Sequence, residues 1–475
     1  MDSANSGQPI VISSIHDVFE IVNQSGRGTN STHWLLVATM MSFAVESYDI
    51  GGFAVAVPSL RAAFHLSPVQ TGNLTAIVGI AAVISSIAGG YFVDRIGRLK
   101  LFVLDMLCFF VAAIVGAFAP TIGVLMAVRF LMGIGIGLDV PAAMTFIAEY
   151  TSGERRRTVA NRYIIWIYYL QVGAYFLAVG LLKLGAGDDL WRWIIGLGAI
   201  PSLAVIILRY YHMEESAVWL ACQGNLHGAA DVLRRTLDLD VVVAPGAVAR
   251  RRRFGFGDLF RKPFLSRTIS CGSINFVQSL VYFSVLFYLP AVASGLFGQN
   301  YIYALMGIGV IQIFGLLGGF ASSAMARRIG LRRETMIGYA VEVVVLLVLG
   351  FGATTLSPIT GAVLIGIFLF FHTFGPGQTG VSMSALSYPT ELRGQGTGFS
   401  YGIGRVGAVV GFYIFPLILA AVGLGSTLRI LSLIPLAGLV TVAMIRWDPV
   451  GTEAETAGLE HFTDAATRGL PVSEG

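Results

Sequence analysis

Charged residues are scarce in this 475-residue sequence. Asp, Glu, Lys and Arg together make up 12% of it, whereas about a quarter is usual for a soluble domain. Hydrophobic residues make up 55%, which is more apolar surface than one soluble core can bury. We therefore expect lipid to surround most of the chain.

Cysteine and the common catalytic motifs are scarce or missing as well. Cys108, Cys222 and Cys271 show neither metal-ligand nor disulfide spacing. The sequence has no Walker loop, no GxSxG elbow and no HExxH motif, and no nucleophile–base constellation is visible. These absences disfavour an enzyme and an ATP-driven pump, and they predict neither a cofactor nor a metal ion.

A cleavable signal peptide is also absent from the start of the sequence. Residues 1–32 are polar, contain acids and lack a basic stretch followed by an apolar one. We expect them to remain as an N-terminal tail, while the first apolar segment itself directs membrane insertion.

Twelve apolar segments are long enough to cross a membrane, which takes about 20 residues. The first six lie near residues 33–57, 70–93, 101–119, 122–148, 160–184 and 190–211. The other six lie near residues 268–293, 301–325, 335–354, 358–387, 397–422 and 426–446. The sequence thus predicts an all-α integral membrane protein of two six-helix bundles (33–211 and 267–446), joined by a polar central loop (212–266) and followed by a C-terminal tail (447–475).

Basic residues are distributed unevenly about these segments. If the N-terminus is cytoplasmic, 25 of the 31 Lys and Arg residues fall on the cytoplasmic side, including the run Arg250–Arg253. Four fall outside, and two, Arg129 and Arg405, lie within apolar segments. The positive-inside rule therefore places both termini in the cytoplasm and the chain in the cell membrane. We interpret the basic runs as topology anchors or contacts to anionic lipid, and we do not expect nucleic acid as a partner.

The two predicted bundles carry similar turns at equivalent places. Gly90-Tyr-Phe-Val-Asp94-Arg95-Ile-Gly97-Arg98-Leu-Lys100 follows segment 2, and a second basic turn with Ile-Gly, residues 323–333, follows segment 8. Glu149 and the run Arg155–Arg157 follow segment 4, and Tyr388-Pro-Thr-Glu391-Leu-Arg393-Gly follows segment 10. Two related six-helix halves are typical of transporters in which one bundle rocks against the other.

These motifs resemble those of the major facilitator superfamily, in an order that covers all twelve segments. Residues 90–100 are similar to the signature of its loop between spans 2 and 3. Arg129-Phe-Leu-x-Gly-x-Gly-x-Gly, followed by Glu149, resembles the span 4 signature of its sugar porters and general metabolite symporters. The 388–394 motif and Gly402-x-Gly-Arg405-x-Gly are similar to those of its aromatic-acid symporters. The resemblance implies a monomer that works by alternating access, with a small solute and protons as its partners.

Acidic residues within apolar segments are the candidates for proton coupling. Asp49 lies in segment 1, where symporters of this family keep a protonatable aspartate, and Arg129 resembles its partner in segment 4. A buried carboxylate is costly and by default faces a partner or a wet cavity. Glu46, one turn before Asp49, is either a second proton carrier or a residue that reaches the outer interface. Asp139 is either functional, as in phosphate symporters, or a polar residue at the kink of Pro141; the Asp49–Arg129 pair could likewise be purely structural.

The remaining candidates fall into a gating set and a solute-binding set. The resemblance implies gating roles for Gly90, Asp94, Arg95, Gly97, Arg98, Glu149, Arg155, Arg156, Glu391, Arg393 and Arg405. We expect the Asp94 carboxylate to lie against a helix N-terminus or an arginine. Polar and aromatic residues predicted near the membrane midplane are the candidates for solute binding: Gln171, Gln278, Tyr282, Phe283, Tyr288, His372 and Gln378.

Departures from the sugar porters' pattern weaken the case for a hexose. Val277 and Phe283 stand where those porters carry amides, and Thr379 stands where they carry a Trp, so a polyol loses several partners. The sequence therefore predicts symport of a small polar or anionic metabolite, driven by an ion gradient. A proton-driven exporter and a transporter-like nutrient receptor are the alternatives.

Overall fold

A computed structural model describes residues 9–24, 30–151, 158–247, 254–286 and 301–449, together with Leu289. Tyr288, Arg155, Arg156 and the run Arg250–Arg253 lie outside the described residues. Where the chain is described, it is helical apart from two three-residue strands and short turns.

The first half is built mainly from helices that lie within the residues the structure describes. They are α2 (Asn30–Phe64), α3 (Pro68–Ile96), α4 (Arg98–Ala117), α5 (Ile122–Tyr150), α6 (Tyr163–Lys183), α7 (Leu190–Leu197) and α8 (Ala199–His212), where α7 and α8 together form span 6. Local chemistry sets their ends. Ser67 caps α3 in a reciprocal capping box with Gln70. Gly97, at φ 103°, separates α3 from α4 in a conformation that disfavours other residues.

The second half repeats this plan. Its helices are α11 (Leu265–Leu286), α12 (Tyr301–Ile329), α13 (Leu331–Phe351), α14 (Pro358–Phe374), α15 (Pro376–Leu386) and α16 (Thr390–Met444). Helices α14 and α15 form span 10 on either side of Gly375. The 55-residue α16 comprises spans 11 and 12, because Gly423 at φ 74° interrupts its helical backbone. Gly330, at φ 86°, separates α12 from α13 as Gly97 separates α3 from α4.

Twelve passes result, in agreement with the sequence prediction. Nine of the described helices are long and apolar enough to span a membrane, and α16 supplies two passes. Helices α2 and α11 are not among the nine; both carry several polar side chains. Helices α3 and α5 of the first half pack against α16 of the second. Asp94, Arg98 and Arg393 lie at one end of the bundle, which we call the basic end.

The N-terminal tail and the central loop form one small structure. Strand β1 (Ile10–Ile12) pairs in parallel with β2 (Val241–Val243). Helix α1 (Ile15–Gln24) packs against α9 (Ala217–Cys222), and α10 (Leu226–Leu237) completes a separate hydrophobic cluster. We call this unit the tail–loop module. Within the predicted central loop, the sequence 217–237 is compatible with one helix, but the structure breaks it at residues 223–225 and adds the strand β2.

Candidate functional site

A small cavity lies between the two halves at the middle of the bundle. Its volume is about 110 Å³, and it is lined by residues of both halves. Glu46 and Gln171 belong to the first half, whereas Gln278, Tyr282 and His372 belong to the second. With Phe283 and Arg405, seven residues proposed from the sequence thus line one cavity.

A larger vestibule of about 520 Å³ leads from this region toward the end opposite the basic end. Its walls include Pro58 near the end of α2, Thr71 near the start of α3 and Tyr301 at the start of α12. Gln171, Phe283 and Arg405 line both the vestibule and the cavity. These shared residues form the partition between the two spaces.

Asp49 and Arg129 are in direct contact. Arg129 Nη1 lies 2.8 Å from Asp49 Oδ2, and both side chains are almost completely buried. The guanidinium also covers the ring of Phe53, with 3.8 Å from Cζ to the ring centroid. Arg129 lines the vestibule, and Asp49 borders an internal void of about 10 Å³, roughly the space of one water molecule. The acid therefore faces an arginine and a small void between buried residues rather than lipid.

Glu46 faces a different partner from Asp49, although the two are only three residues apart. Three residues rotate a helix by about 300°, so the two side chains diverge by about 60°. Glu46 Oε1 accepts hydrogen bonds from Arg405 Nη2 and, at 3.0 Å, from the Tyr401 hydroxyl. Arg405 was predicted to act in gating; the structure places it on the cavity wall, where it joins span 11 to span 1.

A second buried ion cluster lies within the first half. Arg209 Nη1 donates to both oxygens of Asp105, at 2.8 and 3.1 Å, and Nη2 donates to Asp139 Oδ1 at 3.1 Å. All three residues are essentially inaccessible to solvent. Of these residues, the sequence identifies only Asp139 as a candidate and leaves Arg209 among the cytoplasmic basic residues. The missed signal is that Asp105 and Arg209 are charged residues within apolar segments 3 and 6.

Aromatic and amide groups make up much of the cavity wall. Tyr282 stacks on His372 with ring centroids 5.2 Å apart and planes inclined by 17°. His372 Nδ1 lies 2.8 Å from Glu342 Oε1, so this buried imidazole has an acidic partner behind it. Gln171 Nε2 donates to the Tyr282 hydroxyl at 3.4 Å, which connects the two halves across the cavity. The position of Glu342 in segment 9 suggests a peripheral or structural residue, whereas the structure places it behind a residue of the cavity wall.

Gln378 is not on the cavity wall, contrary to our expectation. Its side chain is fully buried, and Nε2 donates to the backbone carbonyl of Asn161. The preceding Gly375, between α14 and α15, turns this segment so that Gly377 lines the cavity while Gln378 faces the other half. Gln378 therefore links the halves and does not contact the solute space.

Asp94 closes the basic end. Its Oδ1 accepts the backbone N–H of Gly394 at 3.0 Å, and its Oδ2 accepts that of Gln395 at 2.9 Å. These donors lie near the N-terminus of α16, where the helix dipole favours a negative charge. Gly90 allows this approach, because a Cβ at that position would meet the backbone carbonyl of Gly394. The expected location of Asp94, against a helix N-terminus, matches this geometry.

Arg98 and Glu149 add a second layer to this closure. Arg98 Nη2 lies 2.7 Å from Glu149 Oε1 and 3.4 Å from the carbonyl oxygen of Thr390 in the other half. Arg393 Nη1 is 3.6 Å from the same Glu149 oxygen. Glu391 lies half buried in the first turn of α16. These groups join the two halves at the basic end.

Arg95 differs from its neighbours in the gating set. Its side chain is exposed and covers the ring of Tyr91, with 4.2 Å from Cζ to the centroid. The loop is instead supported from the tail–loop module. Glu215 accepts the backbone N–H groups of Arg98 and Leu99 at 3.1 and 3.3 Å, and Trp219 Nε1 donates to the Asp94 carbonyl at 3.0 Å.

Two six-span halves around a polar central cavity define a membrane transporter of the major facilitator fold. The sequence matches the family model for "Sugar (and other) transporter" over residues 23–446. The chain therefore belongs to the sugar (and other) transporter family.

Known relatives cover nearly the whole chain. The inner membrane metabolite transport protein YgcS of Escherichia coli is 27% identical over 88% of this chain and 92% of its own length. The niacin transporter NiaP of Acinetobacter baylyi is 23% identical, over 90% and 96%. Among solved structures, the proton:xylose symporter XylE bound to 6-bromo-6-deoxy-D-glucose superposes with a TM-score of 0.77 at 18% identity, over 90% of this chain and 98% of that one. The chain is thus similar to transporters named for chemically different solutes.

Proposed function

We propose that this protein is a proton-coupled symporter of the cell membrane that carries a small polar or anionic metabolite inward by alternating access. Both termini and the basic end are assigned to the cytoplasm by the positive-inside distribution. In that orientation the closed end faces the cytoplasm and the vestibule faces outward.

The buried Asp49–Arg129 pair is the observation that carries this proposal. Ionised, the two groups attract each other across α2 and α5 at 2.8 Å. Protonation of Asp49 removes its charge and most of this attraction, so that the two helices become free to shift. A proton bound from the vestibule side thereby alters the packing inside the first half.

The contacts between halves supply the two states that alternating access requires. Closure at the basic end depends on Asp94, Arg98 and Glu149, which are held to residues of α16. Contacts of this kind can break and re-form as one half tilts against the other. The cavity between the halves is then reached from opposite sides in turn.

Transport by purified protein in proteoliposomes tests this proposal. Accumulation of solute from a panel of organic acids and sugars is measured with an inward proton gradient and without one. We expect Asp49→Asn to abolish gradient-driven accumulation while retaining exchange of internal for external solute. Asp189→Asn, which alters an exposed pair with Arg192, serves as the control. Unchanged accumulation in the Asp49 variant contradicts the coupling assignment.

The same measurement separates the alternatives. An exporter moves solute against the imposed proton gradient, out of the compartment that receives protons. A nutrient receptor binds solute without measurable flux. Outward movement of solute would identify an exporter, and binding without flux would identify a receptor; either result would contradict symport.

A further inference from the structure

We propose that Arg405 binds a carboxylate group of the solute, and that Glu46 is an internal carboxylate which the solute displaces. The site is then selective for small, flat monocarboxylates. This inference rests on the proposed function, because it identifies the solute class for the same cavity.

Charge is the first observation in favour of this site. Among the described residues that line the cavity, Arg405 is the only one with a permanent positive charge. Its side chain is only 12% exposed, and its Nε–H has no hydrogen-bond partner within the described part of the chain. A guanidinium in a polar cavity is suited to bidentate recognition of a carboxylate. A spare donor remains beside the bonds that Glu46 and Tyr401 already receive.

The position of Arg405 is the second observation. It lines both the outer vestibule and the inner cavity, so a solute that passes from one to the other meets it. Its present partner, Glu46, belongs to span 1, whereas Arg405 belongs to span 11. A solute that takes the place of Glu46 therefore breaks a direct contact between the two halves at the moment of binding.

The shape and chemistry of the walls indicate a flat ring. Phe43 and Tyr163 lie on one side with ring centroids 4.9 Å apart, and the stacked pair Tyr282–His372 lies on the other. The cavity volume is about 110 Å³, somewhat below the roughly 150 Å³ of a cavity that binds benzene. Movement of the Glu46 side chain away from Arg405 adds space. A single six-membered ring with one carboxylate fits these limits, whereas a polyol finds few amide partners.

The replacement of Glu46 by a solute carboxylate at Arg405 leaves the net charge of the buried groups unchanged. An incoming solute carboxylate takes the guanidinium hydrogen bonds, and the released Glu46 carboxylate takes up one proton from the vestibule. The ion pair at Arg405 is replaced by an equivalent ion pair, and Glu46 becomes neutral. No unpaired charge is left buried, which avoids the large cost of such a state. One proton is therefore taken up at Glu46 for each carboxylate bound.

Equilibrium binding to the purified protein tests this site without any transport step. We choose benzoate and nicotinate, their amides benzamide and nicotinamide, and D-xylose, and we measure each across a pH series by calorimetry. For the native protein we expect at least one acid to bind about tenfold or more tightly than its amide, with affinity that rises as pH falls. The proposal is overturned if no acid binds better than its amide, or if D-xylose binds better than every acid.

Two variants locate the effect. Arg405→Gln should weaken binding of the acid by about tenfold or more and leave the amide unchanged, and Arg405→Lys should restore part of the loss. Glu46→Gln, which resembles the protonated glutamic acid, should bind the acid at least as tightly as the native protein and with little dependence on pH. Retained pH dependence in Glu46→Gln overturns the exchange step.

Controls keep this test separate from the test of symport. Arg429→Gln changes an exposed arginine of the same long helix and should leave binding unaltered. Thermal unfolding shows whether each variant is folded, and Arg405→Lys remains decisive if Arg405→Gln is not. If Asp49→Asn retains gradient-driven accumulation, coupled symport is contradicted. The preference for acid over amide is then still decided by the binding measurements.

Discussion

The carboxylate of Asp94 and the backbone N–H of Gly394 are hydrogen-bonded at 3.0 Å, and the two residues belong to opposite halves of the transporter. A second bond at 2.9 Å joins the same carboxylate to Gln395. The acceptor is a side chain, whereas the donors are main-chain groups that remain after any substitution except proline. These two hydrogen bonds are therefore removed most simply by changing Asp94.

Removal of that carboxylate should open the basic end. Hydrogen bonds to a charged group are worth about 1.5–3 kcal/mol each. Because water replaces part of this stabilisation when the end opens, we expect Asp94→Ala to favour the open state by about 2 kcal/mol, which is roughly a thirtyfold change in the ratio of open to closed protein. The readout is labelling of a cysteine introduced at Ser279, on the cavity wall, by an impermeant maleimide in inside-out vesicles. Arg95→Ala, at an exposed neighbour, should label at the native rate. Equal rates for Asp94→Ala and native protein would show that other contacts hold this end closed.

The close approach of α3 and α16 gives a second prediction. A Cβ at Gly90 would meet the Gly394 carbonyl and the Gly398 Cα, so Gly90→Ala must push the two helices apart. Such overpacking typically costs about 1–3 kcal/mol, and we expect it to act on the closed state specifically. Gly173→Ala is the matched control, because a Cβ there meets nothing within 4 Å. The Ser279 labelling assay should distinguish the two, and equal labelling would contradict this account.

Arg209 gives a prediction about stability rather than gating. Arg209→Met leaves the buried carboxyl groups of Asp105 and Asp139 without their cation, and breaking a buried pair costs about 3–5 kcal/mol. Thermal unfolding in detergent should show a clear decrease in Tm. Arg261→Met removes the pair between an exposed arginine and Asp258 at 3.6 Å, which is worth about 0–1 kcal/mol. Similar melting of the two variants would mean that the buried cluster contributes little.

The tail–loop module can be tested through a native thiol. Ile12 is fully buried in its cluster and Val11 is 57% exposed, so Ile12→Asp should release β1 whereas Val11→Asp should not. Cys222 is only 1% exposed in the same cluster. With Cys108 and Cys271 replaced by Ser, we expect maleimide to label Cys222 about tenfold or more faster in Ile12→Asp. A slow rate in both variants would indicate that the module does not depend on β1.

The sequence predicted the membrane architecture almost completely. Apolar length and the break between two sets of six gave the twelve spans, and those predictions are confirmed by the fold and by the family match. The motif order also pointed to the contact between Asp49 and Arg129 and to the position of Asp94 at a helix N-terminus. Both were inferred from resemblance, and the functional roles of these residues stay predictions.

Other features depend on tertiary structure that a single sequence does not reveal. The direction in which Glu46 points is fixed by Arg405, more than three hundred residues away along the chain. Strands of three residues give too short a pattern to recognise, and β1 finds its partner only across the whole first half. Gln378 faces away from the cavity because of the local turn at Gly375, which periodicity does not predict.

The pairing of β1 with β2 also has a consequence for biosynthesis. The ribosome makes Ile10–Ile12 before the six spans of the first half, but their partner Val241–Val243 emerges only after those spans. Folding generally follows the order of synthesis, so β1, although it is made before these six spans, gains its partner only after them. Until the second strand is translated, β1 therefore has an unpaired edge. The two-stranded parallel sheet can therefore form only after the six spans of the first half have been translated, and before the second half has been made.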